Sequence, residues 1–118
     1  KTLEPIASEV NQVFFDPRDR TVGYTTPGQF QEYSFSGNSS SLITRQSSSI
    51  VSPLILDAIG YAFYISENKV QAIELDARDK QNQYQLGEFS QPFLMTATND
   101  YRQLLFLEGN SLKQITIR

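Results

Sequence analysis

The stretch FYISENKVQAIEL, residues 63–75, sets two apolar runs on either side of the polar tetrapeptide Ser66-Glu67-Asn68-Lys69. It reads as a strand, a tight turn and a second strand. The same arrangement occurs twice more. Aligned without a gap, residues 24–35 are YTTPGQFQEYSF, residues 64–75 are YISENKVQAIEL and residues 106–117 are FLEGNSLKQITI. Each copy opens on an aromatic residue (Tyr24, Tyr64, Phe106), passes through a turn, and carries three apolar anchors at matching positions. The anchors are Phe30, Tyr33 and Phe35, then Val70, Ile73 and Leu75, then Leu112, Ile115 and Ile117. Tyr24 to Tyr64 is 40 residues and Tyr64 to Phe106 is 42.

An apolar triplet precedes each copy: Val13-Phe14-Phe15, Leu54-Ile55-Leu56 and Phe93-Leu94-Met95. Each repeat therefore supplies a strand A (the triplet), a strand B (21–25, 61–65, 103–107) and a strand C, the second half of the aligned segment. Strand D is weaker, with Leu42-Ile43-Thr44 and Tyr84-Gln85-Leu86 as its candidates. Segments with helical apolar spacing are missing, and short β-branched or aromatic runs punctuated by Gly, Asn, Asp, Ser and Pro fill the chain. The fold class is all-β. A period near 40 residues with several strands per period is the pattern of β-propeller blades. The expected architecture is one domain, 1–118, with four-stranded antiparallel repeats at about 11–51, 52–90 and 91–118, forming a partial propeller or one protomer of a ring. Residues 1–10 are the candidate for a closing strand, because the third repeat has no strand D of its own. A β-sandwich of short strands is the alternative. Strand B of the second and third repeats is apolar on both faces, which fits a sheet enclosed between two others.

Composition bounds the function. A chain of 118 residues, 39% hydrophobic and 12% aromatic, is one folded domain in size. No apolar run approaches the roughly 20 residues of a membrane-spanning helix. A formal charge of −3, with ten basic residues scattered through the chain, disfavours nucleic acid as a partner. Arg18 and Arg20 share their segment with Asp16 and Asp19, as in a solvated turn. Cysteine and histidine are absent, so disulfides, thiol nucleophiles, Ser-His-Asp triads and imidazole metal sites are excluded within this chain. Neither compartment, extracytoplasmic nor cytoplasmic, is selected by that absence.

Glycine-rich phosphate loops do not occur. The nearby carboxylates Asp16 with Asp19 and Asp76 with Asp79 read as turn caps rather than an acid–base pair. Residues 76–88, DARDKQNQYQLGE, fail the calcium-loop pattern, with Arg78, Lys80, Gln81 and Gly87 where ligands, the turn glycine and the terminal glutamate belong. Asn38-Ser39-Ser40 is a glycosylation sequon, relevant only on a eukaryotic secretory route. The polar run at 39–52, SSSLITRQSSSIVS, reads as a long flexible connection.

The segment VFFDPRDRTVGYTT, residues 13–26, resembles the blade pattern of TolB-like, YncE-like and WD40-like propellers, in which an apolar run, Asp-Pro and a polar turn lead into a strand ending in an aromatic. Asp16 and Pro17 match; the other repeats have Asp57-Ala58 and Thr96-Ala97 at that place, and Trp-Asp and Gly-His pairs are absent. The resemblance implies a propeller in which B-to-C turns and D-to-A loops share one face. The candidate contact rim is then Gln29, Glu67, Asn68, Lys69, Glu108 and Asn110, joined by Gln46 and Gln91. This set is amide-rich and mixed in charge, suited to protein or glycan contacts. The expected function is a non-catalytic interaction scaffold or assembly subunit, with a protein partner or self-association and no cofactor. The alternatives are a piece of a larger lactonase-like or glycan-acting propeller enzyme, and a small-ligand sensor.

Overall fold

The computed structural model describes residues 2–16, 21–76 and 81–117. Within them are eleven strands and one turn of 3-10 helix: β1 (Gln12–Asp16), β2 (Thr21–Thr26), β3 (Gln29–Ser34), β4 (Ser39–Arg45), β5 (Val51–Leu56), the 3-10 turn (Asp57–Ile59), β6 (Tyr61–Ser66), β7 (Lys69–Glu74), β8 (Gln83–Glu88), β9 (Pro92–Ala97), β10 (Gln103–Glu108) and β11 (Ser111–Thr116). They form three antiparallel sheets in simple up-and-down order: β1-β2-β3-β4, β5-β6-β7-β8 and β9-β10-β11. The chain is all-β, as its alternating patterns predict. Three sheets form where a sandwich has two.

The second and third strands of every sheet are joined by a two-residue turn. Thr26 pairs with Gln29, Ser66 with Lys69 and Glu108 with Ser111. Each turn meets the need for positive φ in its own way. Gly28 takes φ 75° after Pro27, Glu67 and Asn68 take 52° and 65°, and Gly109 takes 58°. The middle turn has the two left-handed residues of a type I′ hairpin, whose twist matches that of the flanking strands.

The first two sheets share an irregularity. The β3–β4 ladder slips between Phe30 and Gln31, leaving Ile43 as the extra residue, and the β7–β8 ladder slips at the equivalent step between Val70 and Gln71, leaving Leu86. Both extra residues turn toward the following sheet: Ile43 is buried in the first core, and Leu86 packs on the second. Strands β5 and β9 each carry a bulge beside a left-handed residue, Ser52 at φ 51° and Leu94 at φ 50°. An extra residue re-aims side chains and bends the strand.

Two cores lie between the sheets. One joins Phe30 and Ile43 of the first sheet to Ile50, Ile55, Ala62, Tyr64 and Ile73, around an edge-to-face contact of Phe30 and Tyr64 at 6.0 Å. The other joins Leu54, Leu56, Phe63, Ile65, Val70 and Ala72 of the middle sheet to Met95, Leu104 and Phe106 of the third. Alternation along β6 thus sends Ala62 and Tyr64 one way and Phe63 and Ile65 the other. The middle sheet is enclosed on both faces, as its doubly apolar strands predict.

The first strands of the sheets stand side by side, β1 against β5 and β5 against β9. Polar side chains stitch this seam. The Ser52 amide donates to Gln12 Oε1 at 2.6 Å, and the Met95 amide donates to Ser52 Oγ at 3.0 Å.

Several expectations need correction. The serine-rich run at 39–52 is not a long connection: Ser39–Arg45 is strand β4, and only 46–50 are irregular. As an outer strand, β4 pairs on one side only and needs a single buried side chain, Ile43, so its serines stay in solvent. Residues 2–10 form no strand; the chain joins the first sheet at Asn11, whose amide donates to Thr25 O at 2.8 Å. The third sheet accordingly has three strands. Arg18, Asp19, Arg20, Arg78, Asp79 and Lys80 lie outside the described residues.

Candidate functional site

The turn tips and the connectors between sheets assemble along one edge of the molecule. Each connector is bonded on both sides. The Gln46 amide, just after β4, donates to Gly28 O in the tip of its own sheet at 2.9 Å. Its side-chain Nε2 donates to Ser66 Oγ at the start of the next tip, and to Ser48 Oγ at 3.0 Å. Ser48 and Ser66 hydroxyls lie 2.9 Å apart. The second connector repeats this. The Phe89 amide, just after β8, donates to Asn68 O at 2.9 Å, and the Ser90 amide donates to Glu108 Oε2 in the third tip at 2.5 Å.

Gln46 and Phe89 are structural equivalents, and each lies over the repeated aromatic residue of the sheet that follows. Gln46 Oε1 accepts from the Tyr64 hydroxyl at 3.4 Å, while the Phe89 ring packs on Phe106 with centroids 4.7 Å apart. The covering residue matches what it covers. A phenol inside the stack needs a polar partner, which Gln46 and the Gln83 amide supply, whereas the phenyl ring of Phe106 needs only another ring. Burial pushes the Tyr64 phenol above its ordinary range, so it stays neutral near pH 7.

The predicted rim residues fall on this edge in two kinds. Glu67, Asn68, Asn110 and Gln91 are exposed, and Gln29, Lys69, Gln46 and Glu108 are half-buried. Gln46 and Glu108 hold the edge together. Glu108 receives Lys113 Nζ on one oxygen and the Ser90 amide on the other. The Lys113 ammonium, and then the Ser90 amide, hold its carboxyl below the ordinary glutamate value. Gln29 Oε1 accepts from Gln31 Nε2 at 2.7 Å. The outward-facing set is therefore Glu67, Asn68, Gln91 and Asn110, one acid among three amides. Sequence reasoning missed Phe89, because a residue that covers a neighbouring sheet leaves no periodic trace in its own strand.

Among the described residues no group of three or more acidic side chains is placed to hold a metal ion. No helix of the described residues is long and apolar enough to cross a membrane. The carboxylate pairs cannot be placed, since Asp19 and Asp79 lie outside the described residues.

A second concave feature lies between the middle and third sheets. It is a groove of about 590 Å³ lined by Ile59, Tyr61, Tyr84, Leu86, Thr116 and Ile117, among others. Its wall on one side is the outer strand β8; on the other is β11, the last strand of a three-stranded sheet. Among the other sheets a fourth strand occupies the place beyond the third. No known protein family matches this chain, and no curated protein is similar to it.

Proposed function

We propose that this chain is a run of β-propeller blades that acts as a non-catalytic protein-interaction scaffold, with the turn-and-connector edge as its contact face. The observation that carries this reading is the repeated double bonding of the connectors, Gln46 to Gly28 and Ser66, then Phe89 and Ser90 to Asn68 and Glu108. Such bonding fixes loops that would otherwise be mobile, so a partner meets a surface whose ordering cost has already been met by folding. Blade-like stacking is supported by the adjacency of β1, β5 and β9 and by the two-faced core of the middle sheet. The outward groups at the tips are amides and charges able to donate and accept, without an acid–base pair beside a cleft. Recognition of protein or glycan is the role that suits them.

The test is selection of binding peptides from a displayed library on the immobilised chain. Ligands of the proposed face lose affinity with Glu67→Ala/Asn68→Ala and keep it with Tyr84→Ala in the remote groove. Ligands that ignore the tip substitution and lose affinity with Tyr84→Ala refute the proposed face. The same groove favours a second reading, a sensor for a small apolar ligand, because aliphatic and phenolic side chains line it together. A thermal-shift screen that finds one stabilising compound class, with the stabilisation lost in Tyr84→Ala, supports that reading.

A further inference from the structure

Both ends of the three-sheet stack leave apolar faces open. The register of the repeats identifies what each face is for. In the middle sheet, Phe63, Ile65 and Val70 are 3%, 2% and 0% exposed because the third sheet covers them. Their equivalents in the third sheet are Leu105, Leu107 and Leu112, which share one outward face, and Leu112 is 70% exposed. On its other face the middle sheet buries Ile55, Ala62 and Tyr64 against the first sheet. Their equivalents in the first sheet are Phe15, Val22 and Tyr24, again on one face, where Phe15 is 56% exposed, Val22 is half-buried and Tyr24 is already buried. That face also borders a groove of about 390 Å³, walled in part by Ile6 and Val10 of the N-terminal segment. Thus the third sheet presents the face that covers a following sheet, and the first sheet presents the face that is covered by a preceding one.

We infer that these two faces dock on each other between two copies of this chain, head to tail, so that the third sheet of each copy packs on the first sheet of the other. The inference rests on the propeller reading and names its partner. The contact continues an interface the chain already builds twice, with the same side-chain positions on each side. It is heterologous, since different patches meet, and with two copies it closes on itself. The closed particle holds six sheets, inside the usual range of roughly 4–8 blades. Apolar faces of this kind on a lone protomer mark an interaction surface.

The test is sedimentation velocity on the intact chain and on Phe15→Glu and Leu112→Glu, both changes at positions more than half exposed. The wild-type chain is expected at twice 13.4 kDa at tens of micromolar. Each variant alone leaves a carboxylate in both contacts and weakens association on the order of a hundredfold. Mixing the two variants restores a dimer, because one contact then joins two unaltered faces. A monomeric wild-type chain overturns the inference, and so does a Phe15→Glu variant that remains dimeric while Leu112→Glu is monomeric, which is the signature of a symmetric contact. The Phe30–Tyr64 ring contact, read by NMR, separates this failure from that of the stacked-sheet reading. A monomer that retains it sinks the pairing alone.

Discussion

Phe106→Ala is the sharpest perturbation of the stack. Phe106 is 1% exposed, packs with Met95 and Leu104 against the middle sheet, and lies under the Phe89 ring. Truncation removes the transfer free energy of the ring and leaves a cavity among the core side chains and the Phe89 ring. The expected loss is about 3–5 kcal/mol, a large share of the roughly 5–15 kcal/mol that holds a domain folded. With a urea slope of about 1.5 kcal/mol per molar, the midpoint falls by roughly 2–3 M. The chain has no tryptophan, so far-UV circular dichroism is the natural probe. Gln85→Ala, at an exposed site on β8, is the control and should stay within about 0.5 kcal/mol of wild type. A loss under about 1 kcal/mol for Phe106→Ala would refute the placement of this ring at the centre of an inter-sheet core.

Three further outcomes follow from single sites. Thr25 is 0% exposed and its Oγ1 has no hydrogen-bond partner among the described residues, so Thr25→Val should raise stability by about 1 kcal/mol; destabilisation in urea would show that the hydroxyl is satisfied. Glu67 holds φ 52° in a turn that favours Asn, and Glu67→Asn should add about 0.5 kcal/mol, read as a higher urea midpoint. Glu108 has a lowered folded pKa, so its stabilising effect is fully present above the unfolded glutamate value and is lost as pH falls through the lower folded value. Urea midpoints of wild type and Glu108→Gln should therefore differ most near neutrality and converge in acid; a gap that persists in acid contradicts the carboxylate's role.

The all-β strand pattern was legible because burial leaves periodic marks. Tyr24, Tyr64 and Phe106 recur at one place and are 5%, 0% and 1% exposed. The apolar triplets mark the first strand of each sheet but misstate its burial: Val13 and Phe15 are exposed on an end face of the stack, and Phe93 and Leu94 are exposed beside the bulge in β9. Periodicity reports alternation, not which face has a neighbour. Strand β4 was legible only at Leu42-Ile43-Thr44 and its serine-rich start was not, since one buried side chain in seven residues marks little of a strand. The tips of the candidate site were legible from turn residues such as Gly28, Asn68 and Gly109. The seam of Gln12, Ser52 and the Met95 amide was not, because a polar side chain bonded to the backbone of another sheet has no local partner to betray it.

The stacking order itself is tested most directly by inter-sheet nuclear Overhauser effects in an isotope-labelled chain, filtered for intramolecular contacts. Phe30 ring protons should reach the Tyr64 ring, Phe106 ring protons should reach methyls of Leu54 or Leu56, and the Met95 amide should reach the Ser52 side chain. Intramolecular contacts joining Phe30 to Phe106 in a single core, as a two-sheet sandwich demands, would contradict the stack.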